Sequence, residues 1–298
     1  MAIGIVVEYN PFHNGHIRQL EWIKKNFPND KIIVVMSNKF SQRGELIVAS
    51  FKNRKKIAKK YGVNKVLKLS FKEGVQAAHI FAKNAINKLY KYKIDKLVFG
   101  SESNNVQEMI DLAIFLKNNK IQFDQKIKYY LKKEKMAYPK AYAQTLLDLK
   151  GKNFIQPNDI LGFEYVKHII NNSLKIKIFT LQRNIGYHSL ETSDKYASAT
   201  FLREKIQKKE DISYYSPLKI KKVYKIDKYY KKFQKIMLKT NLDKIKKIPL
   251  VTEGIENLFL KHLHLKSYQD FVQACTSKRY TASRIKRIMA WIINKKWK

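Results

Sequence analysis

Short apolar runs alternate with amphipathic stretches through the first hundred residues. Ala2–Val7 holds only apolar residues and glycine, which predicts a buried strand. Ile17, Leu20 and Ile23 then recur at helical spacing and predict a helix over 15–26. Residues 31–36 read as a second buried strand, and 49–61 as a helix with Phe51, Ile57 and Ala58 inward. A short strand over 66–69 precedes one long helix over 74–90, with Ala78, Phe81, Ala82, Ala85, Ile86 and Leu89 on its buried side. Residues 97–99 close the series as a strand running into Gly100. Strands alternating with helices at this spacing imply a parallel sheet with helices on both faces. Ligands of such sheets bind beyond the carboxyl ends of the strands.

Later segments are more helical. Residues 105–150 are helical and polar, 158–171 predict another helix, 176–181 a strand and 198–208 a short helix. No strand pattern follows residue 211. The two parts of the chain also differ in charge. Residues 211–298 hold 22 basic and 6 acidic side chains, nearly twice the net charge per residue of 1–210. We therefore expect a nucleotide-binding catalytic domain over 1–210 and a basic α-helical region over 211–298.

Composition narrows the partners. The chain of 298 residues carries 61 Lys and Arg against 24 Asp and Glu, a net charge of +37. Such an excess repels itself and attracts polyanions, nucleic acid first and anionic membrane second. Lysine, asparagine and isoleucine are all abundant, so drift in an A+T-rich genome is a competing source of the charge. A hydrophobic fraction of 45% supports a packed core. Cys275 is the one cysteine, which excludes a disulfide partner and a Cys-rich zinc site. The longest apolar runs are strand-length, so no membrane span is expected. No charged segment precedes the first run, so no signal peptide is read and a cytoplasmic location is expected.

The strongest chemical signal follows the first strand: Glu8-Tyr9-Asn10-Pro11-Phe12-His13-Asn14-Gly15-His16. Pro11 pre-sets a turn and Gly15 admits close backbone approach. His16 falls in the first turn of a helix, whose free N–H groups and positive potential suit phosphate. Two imidazoles there can hydrogen-bond phosphate oxygens as charge develops, which suits attack on an α-phosphate with pyrophosphate leaving. Neither a P-loop nor a dinucleotide glycine motif is present. Chance would supply His-x-Gly-His about once in 200 chains of this composition. A surface turn and a metal pair are the bland readings, and a metal would want further close ligands, so no metal site is expected.

Residues 3–16 resemble the N-terminal signature of the bacterial tRNA(Met) cytidine acetate ligase family, which has the HIGH-type nucleotidyltransferase-like α/β fold. The likeness continues through Phe40-Ser41-Gln42-Arg43-Gly44-Glu45, Phe99-Gly100-Ser101-Glu102 and Pro157-Asn158-Asp159-Ile160-Leu161-Gly162. It includes Arg183 before Tyr187-His188, Ser198-Ala199-Thr200 with Arg203, and Ser277-Lys278-Arg279-Tyr280-Thr281 with Arg284. The sequence departs from the pattern at Asn38, Leu46 and Lys68-Leu69-Ser70, which bears on loop geometry and the acyl pocket.

The resemblance implies a Rossmann-like parallel sheet and an ATP-dependent ligase. Acetate would attack ATP to give acetyl-adenylate and pyrophosphate. The exocyclic amine of the wobble cytidine of elongator tRNA(Met) would then take the acetyl group. His13, His16 and Arg203 are the catalytic candidates. ATP would lie against Val6, Val7, Glu8, Tyr9, Asn10, Pro11, Phe12, His13, Asn14, Gly15, His16, Ile17, Arg18 and Gln19. Gly100, Asn158, Arg183, Ser198 and Thr200 would complete that site, and Mg²⁺ is expected with ATP. Asn158 also reads as a helix N-cap. Lys278, Arg279, Arg284, Lys286 and Arg287 are expected to contact tRNA, and tyrosines among residues 214–230 to stack on bases. Glu102 is a candidate for proton handling, His188 for a role near tRNA or acyl group, and His79 reads as packed or surface. Two rivals remain: an adenylyltransferase that builds a dinucleotide cofactor, and an inactive RNA-binding protein on the same fold.

Overall fold

In a computed structural model the described residues are 1–151, 157–183, 192–220 and 226–294, with the side chains of 157, 158, 193, 227 and 228 left aside. Tyr187, His188 and Tyr224 lie outside them.

Five parallel strands form the sheet: β1 (Ala2–Val7), β2 (Lys31–Ser37), β3 (Lys65–Leu69), β4 (Lys96–Ser101) and β5 (Lys177–Gln182). Their order is β3-β2-β1-β4-β5, so the chain reverses direction of travel between β1 and β4. Period-two alternation decides which helices cover which face. Ile3, Ile5, Val7, Ile32, Val34 and Met36 pack on α1 (Asn14–Asn26) and α2 (Phe51–Lys60). Ile33, Val35, Leu67, Leu69 and Leu97 meet the helices of the other face.

The predicted helix over 74–90 is broken. It divides into α3 (Phe71–Gly74) and α4 (Ala78–Tyr90). Ser70 and Glu73 form a capping box that starts α3 early. The carbonyls of the break are used elsewhere: Val75 accepts from Trp291 Nε1 at 2.8 Å and Gln76 from Gln42 Nε2 at 2.6 Å. Tertiary partners thus replace the helical hydrogen bonds that the periodicity predicts.

Helices α5 (Val106–Asn118), α6 (Lys120–Lys132), α7 (Tyr138–Lys150) and α8 (Pro157–Asn171) extend the second face. The small ribbon β6 (Thr192–Ser193) and β7 (Tyr196–Ala197) leads into α9 (Ala199–Lys208). Ile212, Leu218 and Ile220 still pack with sheet-side clusters. A separate core, with Ile226 packed against it, joins α10 (Asp227–Lys239), α11 (Leu242–Lys246), α12 (Ile255–His262), α13 (Tyr268–Cys275) and α14 (Ala282–Asn294). Phe40 and Val75 belong to that core, so the helical region is packed onto the sheet domain. Tyr230 lies within it at 1% exposure and cannot stack on RNA, since α10 buries its aromatic stripe. Among the described residues no helix is long and apolar enough to cross a membrane.

Candidate active site

Beyond β1 the chain makes a tight, heavily anchored turn. Tyr9 has φ 50° and the Asn10–Pro11 bond is cis. Asn10 Oδ1 accepts from the Val48 N–H at 3.0 Å, and Ser216 Oγ donates to the Phe12 carbonyl at 2.6 Å. The Asn14 amide donates to the carbonyls of Lys195 and Tyr214. Arg54 is fully buried beneath the turn and donates to the carbonyls of Ala49, Glu8, Ser37 and Asn38. Burial pushes its guanidinium down to about 10. The carboxyl ends of β1 and β2, at Glu8 and Ser37, are thereby tied to one side chain, which no sequence pattern announces.

His13 is the N-cap of α1, and His16 is the third residue of that helix. His13 Nδ1 accepts from the Gly15 N–H, and His16 Nδ1 accepts from the His13 N–H, both at 3.1 Å. The ring centroids are 3.8 Å apart. Both Nδ1 atoms are acceptors, so each neutral ring carries its proton on Nε2. Burial keeps His13 neutral, pushing it down to about 3 with help from Arg183 and Arg203. Burial, His13 and Arg183 likewise hold His16 well below the usual imidazole value. The pair is a fixed two-donor surface.

The histidines open into one cavity of about 900 Å³. Val6, Val7, Glu8, Tyr9, Asn10, Gly15, Arg18, Gln19, Gly100, Arg183 and Arg203 line it with them. Pro11, Phe12, Asn14 and Ile17 do not; they build the turn and its packing. Ser198 caps α9 and is buried, and Thr200 Oγ1 accepts from Arg203 at 3.0 Å, so neither hydroxyl lines the cavity. Arg203 also donates to the Asn10 carbonyl at 3.1 Å. Asn158 is in the first turn of α8 rather than at its cap, because that helix begins at Pro157. Glu102 is not on the cavity wall.

The cluster expected to contact tRNA is divided. Arg279, Arg284 and Arg287 line the cavity, whereas Lys278 and Lys286 do not. Glu253 pairs with Arg284 at 2.8 Å and Arg279 at 3.5 Å, and Lys286 pairs with Glu45 at 2.6 Å. Burial, with Arg284 and Arg43 nearby, pushes Arg287 down to about 10. His79 lines the cavity too, as do Gln42 and Arg43. Gln42 and Arg43 follow β2, a position where parallel sheets place ligand contacts, whereas His79 lies in the first turn of α4.

The carboxyls on the wall differ. Glu45, Glu164 and Glu253 are ion-paired. Glu8 accepts from the Gln42 N–H at 2.7 Å, and burial raises its carboxyl above the ordinary value against the pull of that bond and Arg203. Among the described residues no three His, Cys, Asp or Glu side chains converge to hold a metal ion.

The HIGH Nucleotidyl Transferase family model matches residues 1–296. A tRNA(Met) cytidine acetate ligase of Mycoplasmopsis synoviae is 52% identical over 99% of this chain and 97% of its own. The protein of that name from Anoxybacillus flavithermus is 36% identical over 98% of this chain and 77% of its own. Thermotoga maritima TmcAL in its apo form superposes with a TM-score of 0.90 at 29% identity, covering 98% of this chain and 75% of that one. Its complex with alpha-thio ATP gives 0.86 at the same identity, covering 99% and 75%. With the sheet order, the capped histidine pair and these matches together, the chain belongs to the HIGH nucleotidyl transferases and, within them, to the tRNA(Met) cytidine acetate ligase family.

Proposed function

We propose that the chain activates acetate with ATP and acetylates the wobble cytidine of elongator tRNA(Met). The observation that carries this reading is the pair of neutral imidazoles, each presenting Nε2–H from a helix N-terminus beside Arg183 and Arg203. A carboxylate oxygen of acetate attacks the α-phosphorus, the bond to the β-phosphate oxygen breaks, and pyrophosphate leaves. No protein nucleophile is required. The site supplies position and donors for the charge that builds on phosphate oxygens. Mg²⁺ would enter on the phosphates of ATP and neutralise part of their charge.

In the second step the cytidine N4 attacks the acetyl carbonyl, AMP leaves, and N4 gives up a proton. Glu8 is our candidate acceptor, since it is the cavity carboxyl without a described ion pair and burial favours its proton-bound form. The catalytic roles of His13, His16 and Arg203, the ATP contacts and the tRNA contacts of the C-terminal cluster are part of this proposal. So is a cytoplasmic site of action, where tRNA and ATP meet. The rival that builds a dinucleotide cofactor gives no role to the C-terminal arginines on the cavity wall.

The test is mass spectrometry of tRNA(Met) nucleosides after incubation with protein, ATP and acetate. N4-acetylcytidine that requires all three supports the reading. ATP–pyrophosphate exchange driven by a mononucleotide instead of acetate would favour the cofactor enzyme.

A further inference from the structure

The cavity extends beyond the residues read as ATP contacts. This second end lies between α4, α7 and α8 and is walled by His79, Phe81, Tyr138, Tyr142 and Phe163. The His79 and Tyr138 rings are 5.8 Å apart, and Tyr138 and Tyr142 are 5.9 Å apart, each pair tilted by about 40°. Tyr138 is 44% exposed although it sits on the cavity wall, so an aromatic face is open to an occupant. Lys167 covers Tyr142 at 4.8 Å and is paired with Glu164.

The rim of the same end is cationic. Arg287 stands close enough to His79, Arg284 and Arg43 to influence or feel their charge. Its buried Nε has no hydrogen-bond partner among the described residues. The C-terminal motif also holds the aromatic wall in place. Ala137, the residue before α7, donates its N–H to the Lys278 carbonyl at 3.0 Å, and Tyr138 follows it. Aromatic plates beside an arginine lacking a partner at Nε match the two halves of a nucleotide, a flat base and a phosphate.

We propose that this end of the cavity receives a single cytidine nucleotide turned out of an RNA strand, its base against Tyr138 and His79 and its backbone phosphate at Arg287. The proposal rests on the ligase reading and adds where the acceptor sits. A base inside a folded anticodon arm cannot bring N4 to a carbonyl enclosed beside the histidines, so it must leave its stack. The aromatic end shares one cavity with the α-phosphate site, which gives N4 a path to the acetyl group.

Binding of two stem-loop RNAs tests this, one with the anticodon arm of elongator tRNA(Met) and one abasic at its wobble position. A stacked base contributes on the order of tenfold in affinity. Wild-type protein should prefer the cytidine RNA by about that factor. Tyr138→Ala should bind both RNAs alike, and Tyr138→Phe should keep the preference because the plate remains. A preference retained in Tyr138→Ala, or absent from wild type, overturns the proposal. So does a loss in Tyr138→Ala confined to a non-hydrolysable ATP analogue, which would assign the plates to adenine. Acetylation by wild type is read separately by mass spectrometry. Its failure alongside an intact cytidine preference would sink the ligase chemistry and leave the nucleotide pocket supported.

Discussion

Lys286 and Glu45 are 241 residues apart in sequence and 2.6 Å apart in the fold. Between them lies Gly44, at φ 85°, where a Cβ would stand 2.6 Å from the backbone of Lys286 and Arg287. The loop that carries Arg43 is therefore seated directly on α14, beside the C-terminal arginines that line the cavity. Gly44→Ala should cost about 3 kcal/mol, combining a left-handed backbone with overpacking against main chain. Urea unfolding measures it. A loss under about 1 kcal/mol would mean that the seat is not as tight as its geometry.

Arg54 predicts a second large effect. Its guanidinium is the donor for four backbone carbonyls around the histidine turn, among them Glu8 at 2.7 Å and Ser37 at 2.8 Å. Arg54→Ala would strand buried acceptors, at a cost of about 4 kcal/mol after partial relaxation. Arg54→Lys should recover only part, since one ammonium cannot span the same fork. Equal stability of the lysine variant and wild type would show that charge alone, not the fork, holds the turn.

The sheet was legible because buried parallel strands read as continuous apolar runs, and 2–7 and 32–36 do. The histidine turn was legible because its residue types are rare together. Arg54 was not, since its partners are main-chain carbonyls that leave no mark in side-chain pattern. The break after Gly74 was hidden for a related reason: Trp291 and Gln42 supply the bonds that permit it. The aromatic wall at Tyr138 falls in a polar helical stretch with no strand-end signal, so only packing brings it to the cavity.

His13 combines two jobs that one substitution can separate. Its Nδ1 caps α1, and its Nε2–H faces the cavity. His13→Asn can keep an acceptor near the Gly15 N–H while losing the far donor. Acetate-dependent pyrophosphate exchange should fall by roughly 10²–10³ in rate, the size of a lost transition-state donor, with urea stability within about 1 kcal/mol of wild type. An unaltered exchange rate would remove His13 from the chemistry. The same burial predicts acid sensitivity. The folded state holds His13 at about 3, against 6.5 unfolded, so below pH 6.5 the unfolded chain binds the extra proton. The contribution of His13 to stability is full above pH 6.5 and declines as pH falls toward 3. His13→Asn should remove part of that slope, seen in unfolding midpoints measured across the range.

The two half-reactions should differ in their response to pH, because different groups serve them. In the proposed roles, exchange depends on imidazoles that are neutral from the start, since burial holds both well below 6.5. Its kcat/KM, which reports the free enzyme, should show no histidine limb between pH 5.5 and 8. Acetyl transfer needs a base for the N4 proton, and Glu8 is held above the ordinary carboxylate value by burial. Transfer should therefore lose rate on the acid side as Glu8 takes up its proton, and run at full rate once pH rises past that titration. Glu8→Gln should lower acetyl transfer by roughly 10²–10⁴, the usual span for a lost general base, and abolish the acid limb while sparing exchange far more. Single-turnover transfer from preformed acetyl-adenylate isolates the step. An acid limb that survives in Glu8→Gln would assign the proton to another group, and equal losses in both half-reactions would make Glu8 a nucleotide contact instead.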